Sequence, residues 1–188
     1  MGCEEDTGKM KMRKGFQTLF AAGLLMVVPA FVYGSSKVPA QRTLDDKVQH
    51  EIAMLPYYSV FDELTYRVDG DKVILFGEVT QPALKRDAER AIKHLEGVRT
   101  LESHVEVLPL SRFDDGIRLR TYRAIFGYSP LSRYSLGVRP SIHIIVKNGN
   151  VTLSGVVNSK MDHDLAYLRA NGVSGSFSVT NDLRISGK

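Results

Sequence analysis

The sequence predicts an α+β protein made of two tandem αββαβ modules, each with two helices on a small three-stranded mixed sheet. Three observations carry this prediction. The stretch VDGDKVILFGEV, residues 68–79, recurs as VKNGNVTLSGVV at 146–157. Val68, Val73, Leu75, Gly77 and Val79 each return 78 residues later. The flanking apolar stripes recur in the same register, and self-similarity at a fixed period is the mark of a duplicated unit.

The elements follow in order. Thr43 or Asp45 can N-cap a first helix striped by Val48, Ile52 and Leu55, and Pro56 ends it. Phe61, Leu64, Tyr66 and Val68 suggest a strand, followed by a turn at Asp69-Gly70-Asp71-Lys72. Residues 72–79 then alternate as the second strand of a hairpin. Pro82 suits the first turn of a helix, where its missing N–H leaves no bond unmade. Leu84, Ala88, Ala91, Ile92 and Leu95 stripe that helix and Gly97 closes it. Val98, Leu101, Val105 and Val107 carry the last strand, and Pro109 stops it.

The second copy keeps this order. Its opening helix is expected over residues 114–126, followed by about eight additional residues around 129–136. Ile142, Ile144 and Val146 form its first strand, and Asn148-Gly149 is a strong hairpin signal. Leu165, Ala166, Leu168 and Ala170 are expected to fill its second helix, Gly175 matches Gly97, and Val179, Leu183 and Ile185 close the unit. The domain division is residues 1–34, 35–42, 43–110 and 111–188: leader, linker, first module, second module.

The leader has the build of an export signal. Lys9, Lys11, Arg13 and Lys14 precede an apolar run at 19–28, broken by Pro29. Val32-Tyr33-Gly34 suits cleavage after Gly34. The alternative is an uncleaved anchor, since residues 15–36 carry no charge. Met10 or Met12 is a natural start for such a signal. The expected location is the periplasm, or the inner membrane with the modules facing the periplasm. The whole chain carries a formal charge of +4. Loss of residues 1–34 removes four basic and three acidic side chains and leaves +3. The sole cysteine, Cys3, precedes the apolar run, which excludes an intramolecular disulfide, a cysteine metal cluster and a lipoprotein acylated just after that run.

The repeated V-x-L-x-G-x-V element stands at residues 73–79 and 151–157. With the helix that follows it, Glu96-Gly97-Val98 and the last alternating strand, it resembles the BON (bacterial OsmY and nodulation) domain family over residues 43–188. The second copy departs from the pattern: Ser176 stands where Val98 predicts valine, Asn171-Gly172 lies near its helix end, and its first connection is longer. The resemblance implies an exported, non-enzymatic protein of envelope or osmotic stress. In some members it implies association with anionic phospholipid.

No catalytic set emerges from the residues. His50, His94, His104, His143 and His163 form no HExxH or HxxxH pair. Asp162-His163-Asp164 at a helix start reads as capping rather than as a metal site. No G-x-S-x-G elbow is present, and the neighbours Asp62 and Glu63 would point to opposite faces of a strand. No cofactor or metal is expected. Gly172-Val173-Ser174-Gly175 spells GxxG, but a KH loop joins two helices, and here the loop runs from helix to strand, so nucleic acid is not an expected partner.

Gly77, Gly155, Gly97 and Gly175 are expected to serve packing. The candidate ligand residues are Arg118, Arg120, Arg123, Arg133 and Arg139, with Tyr128 and Tyr134 among them. Arginine forks fit phosphate geometry and aromatic rings suit a headgroup boundary. The expected partner is anionic phospholipid. The alternative is an envelope assembly on which the modules dock through sheet edges without a small ligand.

Overall fold

A computed structural model describes residues 43–137 and 139–187. The predicted leader and the whole linker lie outside these residues. The first module contains α1 (Leu44–Ala53), β1 (Glu63–Asp69), β2 (Lys72–Val79), α2 (Pro82–Lys93) and β3 (Thr100–Val107). The second contains α3 (Arg112–Phe126), α4 (Ser129–Ser132), a 3-10 turn (Arg133–Ser135), β4 (Ile142–Lys147), β5 (Asn150–Val157), α5 (Lys160–Asn171) and β6 (Ser178–Ile185). The two sheets run β1-β2-β3 and β4-β5-β6. In each the middle strand pairs antiparallel with the first and parallel with the third. The copies share their register: Val73 faces Leu101 as Val151 faces Val179, so the 78-residue offset of the sequence is also a structural one. The predicted fold class is the observed one.

Local chemistry sets the ends of the helices. Thr43 caps α1 in a reciprocal box: its hydroxyl accepts the Asp46 N–H at 3.2 Å, and the Asp46 carboxylate accepts the Thr43 N–H at 3.0 Å. The helix ends at Ala53, before Pro56. Pro82 opens α2, as its spacing implied. α3 begins at Arg112, two residues earlier than expected, because the Ser111 hydroxyl accepts the Asp114 N–H. The additional residues after it are helical, as α4 and the 3-10 turn.

Each module has its own core. Val48, Ile52, Leu64, Val73, Leu75, Leu84, Ala88 and Ile92 fill the first. Ile117, Ile125, Leu131, Ile142, Ile144, Leu153, Ala166 and Ala170 are among those filling the second. Leu168, expected in that core, is 62% exposed. The offset explains this. The buried side of α2 is Leu84, Ala88 and Ile92, which corresponds to Asp162, Ala166 and Ala170 in α5, and all three are buried there.

The glycines at the heart of the repeat stand where a side chain has no room. Gly77 and Gly155 have φ of +129° and +114°. A Cβ on either would run into the backbone carbonyl oxygen across the hairpin, of Glu63 and Ser141 respectively. A side chain there meets both a strained backbone and an occupied space. Gly97 and Gly175 also have positive φ, at +100° and +92°, in the loops that lead into β3 and β6.

The modules interlock. Val60 and Phe61, just before β1, pack on the second core. The Val60 carbonyl accepts the Ile144 N–H at 2.7 Å, covering part of the outer edge of β4. Asp62 holds this segment in place: it is fully buried and accepts from Ser59 (2.6 Å from the hydroxyl) and from both the N–H (2.6 Å) and hydroxyl (2.7 Å) of Thr80. Tyr58 meets His143 edge-on, with centroids 5.7 Å apart, and Lys147 reaches Glu106 at 2.7 Å.

Candidate binding surface

The structure divides the seven candidate side chains between internal and external work. Arg118 is internal. Only 5% exposed, it donates to Asp115 at 2.5 Å and to the Val146 carbonyl at 2.7 Å, tying α3 to the end of β4. Beside it Asp114, 1% exposed, accepts the N–H groups of Asn148 (3.1 Å) and Gly149 (2.7 Å). The Asn-Gly turn that was legible in the sequence is thus held from the side by a carboxylate that was not singled out there. The signal available was its place in the first turn of an amphipathic helix, but nothing local says that its partner is a turn 34 residues on.

Tyr134 and Arg133 form a second internal knot. The Tyr134 hydroxyl is buried, donates to Asp162 at 2.9 Å and accepts the Asn158 N–H at 2.9 Å. Arg133 donates to the same carboxylate at 2.8 Å and lies over the Tyr134 ring, 4.9 Å from its centroid. The Ser159 hydroxyl completes the set at 2.7 Å. Burial alone would raise the Asp162 pKa, but the bonds from Ser159, Tyr134 and Arg133 outweigh it and hold the carboxyl below its ordinary value. Asp162 is thus a structural anion, and the 129–136 connection exists partly to supply its partners.

Arg139 sits at the junction of the modules, its guanidinium 5.6 Å from the Tyr58 ring centroid. It lines an open cleft of about 410 Å³ with Glu63, His143 and Arg184. His143 is 6% exposed and its pKa is lowered, chiefly by burial. Tyr128 is half-buried beneath Arg169, 4.4 Å from its centroid.

Two of the candidates, Arg120 and Arg123, lie on the exposed side of α3, and Arg112 joins them there. Arg120 donates its Nε–H to the Ser174 carbonyl at 3.1 Å, so its position is set by the loop before β6. Phe113 and Leu119 are about half exposed on the same helix. Phe113 packs against Phe177, centroids 5.9 Å apart, and Phe177 is 74% exposed. The arrangement is a cationic surface with apolar rings at one end. It has no nucleophile, no acid/base pair and, among the described residues, no metal-binding group of His, Cys, Asp or Glu. Nor is any helix among them long and apolar enough to cross a membrane.

Comparison with known proteins agrees with this architecture. No curated protein matches the chain. Two solved structures of CdsD, a structural protein of the type III secretion system of Chlamydia trachomatis, resemble it weakly. One, of the C-terminal domain, has 13% identity and a TM-score of 0.29, covering 77% of this chain and 98% of that one. The other has 11% identity and a TM-score of 0.28, covering 77% and 93%. Neither likeness is close enough to bear on function. The family model of the BON domain matches residues 42–109 and 134–187, one match in each module. With both matches falling on the repeated hairpin, helix and closing strand, the chain belongs to the BON domain family and carries two tandem copies.

Proposed function

We propose that this is an exported, non-enzymatic envelope protein whose second module contacts anionic phospholipid headgroups through the exposed face of α3. The observation that carries the reading is the pairing of Arg112, Arg120 and Arg123 with exposed Phe113, Leu119 and Phe177. Guanidinium groups pair with phosphate in two-pronged fashion, and rings that are apolar and exposed suit the headgroup boundary. BON domains as a family are non-enzymatic and associated with the envelope, and the basic, apolar leader supports export.

Vesicle co-sedimentation tests the lipid contact. The full chain is expected to pellet with phosphatidylglycerol-containing vesicles and not with pure phosphatidylcholine. Added salt should weaken the binding, because exposed charges are screened. Arg120→Gln with Arg123→Gln, or Phe177→Ser, should reduce it. Equal binding to both vesicle types, or none to either, defeats the proposal.

A second reading is docking onto an envelope assembly without a small ligand. β6 is an outer strand of its sheet, and Met161 and Leu168 on the neighbouring helix are 72% and 62% exposed. Crosslinking through β6 to one envelope protein, with no preference for anionic vesicles, would favour it.

A further inference from the structure

We propose that the cleft between α2 and β3 of the first module is a binding site for a phosphate-bearing anion, separate from the α3 surface and independent of it. The cleft has a volume of about 530 Å³, within the range of small-ligand sites. Arg86, Arg90, Lys93 and Arg99 line it, with His94 beside them and Glu89 as its one carboxylate. Glu89 already faces Lys85 at 4.0 Å. Arg90 and Arg99 have weak exposed partners, Asp87 at 3.4 Å and Asp71 at 3.2 Å. Among the described residues no ion pair or hydrogen bond engages the side chains of Arg86, Lys93 or His94. Val98 and Leu101 make an apolar floor, and there the Ser103 hydroxyl is buried without a hydrogen-bond partner. A buried hydroxyl left unpaired is costly unless something donates to or accepts from it.

The duplication supplies an internal control. α2 and α5, and β3 and β6, superimpose in register at the 78-residue offset. Arg86, Arg90, Lys93, His94 and Arg99 correspond to Asp164, Leu168, Asn171, Gly172 and Phe177. Every cation of the first cleft is absent from the second, while the helix, the strand and their pairing persist. The fold therefore does not require these charges. Arg86 and Arg90 are four apart on one helix face, a like-charge arrangement that is mildly unfavourable by itself. Cations suit a helix C-terminus, yet α5 ends with Arg169 alone in its last turn. What the cluster offers is a set of forked donors around an apolar floor. That combination fits a phosphate group joined to an apolar portion, in a lipid headgroup or a free organic phosphate alike.

Two probes separate these sources. Inorganic pyrophosphate is titrated into the isotopically labelled full chain, followed by amide NMR. Phosphatidylglycerol vesicles are tested against phosphatidylcholine vesicles by co-sedimentation. The test variant carries Arg86→Gln, Arg90→Gln and Lys93→Gln, all on exposed positions, so the fold is retained and checked by the unchanged amide spectrum elsewhere. A control carries Arg120→Gln and Arg123→Gln on α3. Saturable shifts confined to residues 86–103, weakened at least roughly tenfold in the α2 variant and unchanged in the α3 control, establish the site for a free phosphate; tenfold is the loss of about one charge-assisted contact. Vesicle binding that drops in the α2 variant, whatever the α3 control does, establishes it for a headgroup. No shift with pyrophosphate together with vesicle binding that ignores the α2 variant overturns the proposal; if that same vesicle binding is lost in the α3 control, the α3 contact stands while the α2–β3 site falls.

Discussion

Gly155 lies at φ +114° with the Ser141 carbonyl oxygen where a Cβ would stand. Gly77 repeats the situation against Glu63. Gly70, at φ +60°, has nothing near the corresponding point. The three positions separate backbone strain from steric exclusion. Gly70→Ala should cost about 1 kcal/mol, the usual left-handed penalty. Gly155→Ala and Gly77→Ala should each cost at least about 2–3 kcal/mol, since a strained backbone must also move a hairpin carbonyl. Urea denaturation of the three variants checks this. Equal losses at Gly70 and Gly155 would show that the close approach is unimportant. The glycine pattern was legible in the sequence because it repeats. Its cause was not, because the atom it makes room for belongs to the neighbouring strand.

The helices show how a duplicated element can keep its geometry and change its chemistry. Leu84 of α2 is an ordinary core leucine, and its counterpart in α5 is Asp162. A buried carboxylate there is tolerable because Ser159, Tyr134 and Arg133 meet it. Asp162→Asn should destabilise the second module by about 2 kcal/mol near neutral pH, the worth of charge-assisted bonds to a buried anion. The pH dependence follows from the lowered pKa. A depressed carboxyl stabilises the fold above its unfolded value, near 3.9, and that stability is lost as pH falls through the lower folded value. The difference in melting temperature between Asp162→Asn and the unsubstituted protein should therefore shrink as the solution is acidified below about pH 4. A difference that stays constant into acid would mean that the charge of Asp162 contributes nothing. α3 shows the same division within one element, with Arg118 and Asp114 turned inward and Arg120 and Arg123 outward. Helical periodicity assigns such faces only where the apolar stripe is clean, and on α3 the inward face includes two charged residues.

At the scale of the whole described unit, the modules are joined by a small, specific contact. Val60 bonds to β4, Phe61 lies 6.1 Å centroid to centroid from Tyr122, and Tyr58 meets His143. His143 is buried among Tyr58, Asp62, Glu63 and Arg139, and burial is the main cause of its lowered pKa. A histidine that is kept neutral in the fold binds its proton more readily when unfolded. Stability present above the unfolded value, about 6.5, is then lost progressively as pH falls toward the folded value. Melting temperature should fall between about pH 7.5 and pH 5, and His143→Phe should flatten that part of the profile. An equally steep profile in His143→Phe would assign the dependence to another group.

Much of this molecule is written in local pattern. Alternation, turn chemistry, Pro82 and the 78-residue offset together specify the αββαβ unit and its duplication, because the first three are set by neighbours a few residues apart and the offset repeats them. They leave Leu168 ambiguous, since a stripe of leucine and alanine on α5 fits two faces. The non-alternating Ile142-His143-Ile144-Ile145-Val146 carried a trace of the module junction, as every one of these side chains is buried. What covers them, Tyr58 and Val60 from more than 80 residues upstream, depends on how the chain packs. The arginines divide for the same reason. Composition brought them together in the sequence, and long-range packing then committed Arg118 to the Val146 carbonyl and Arg133 to the buried Asp162 carboxylate and left Arg120 and Arg123 at the surface.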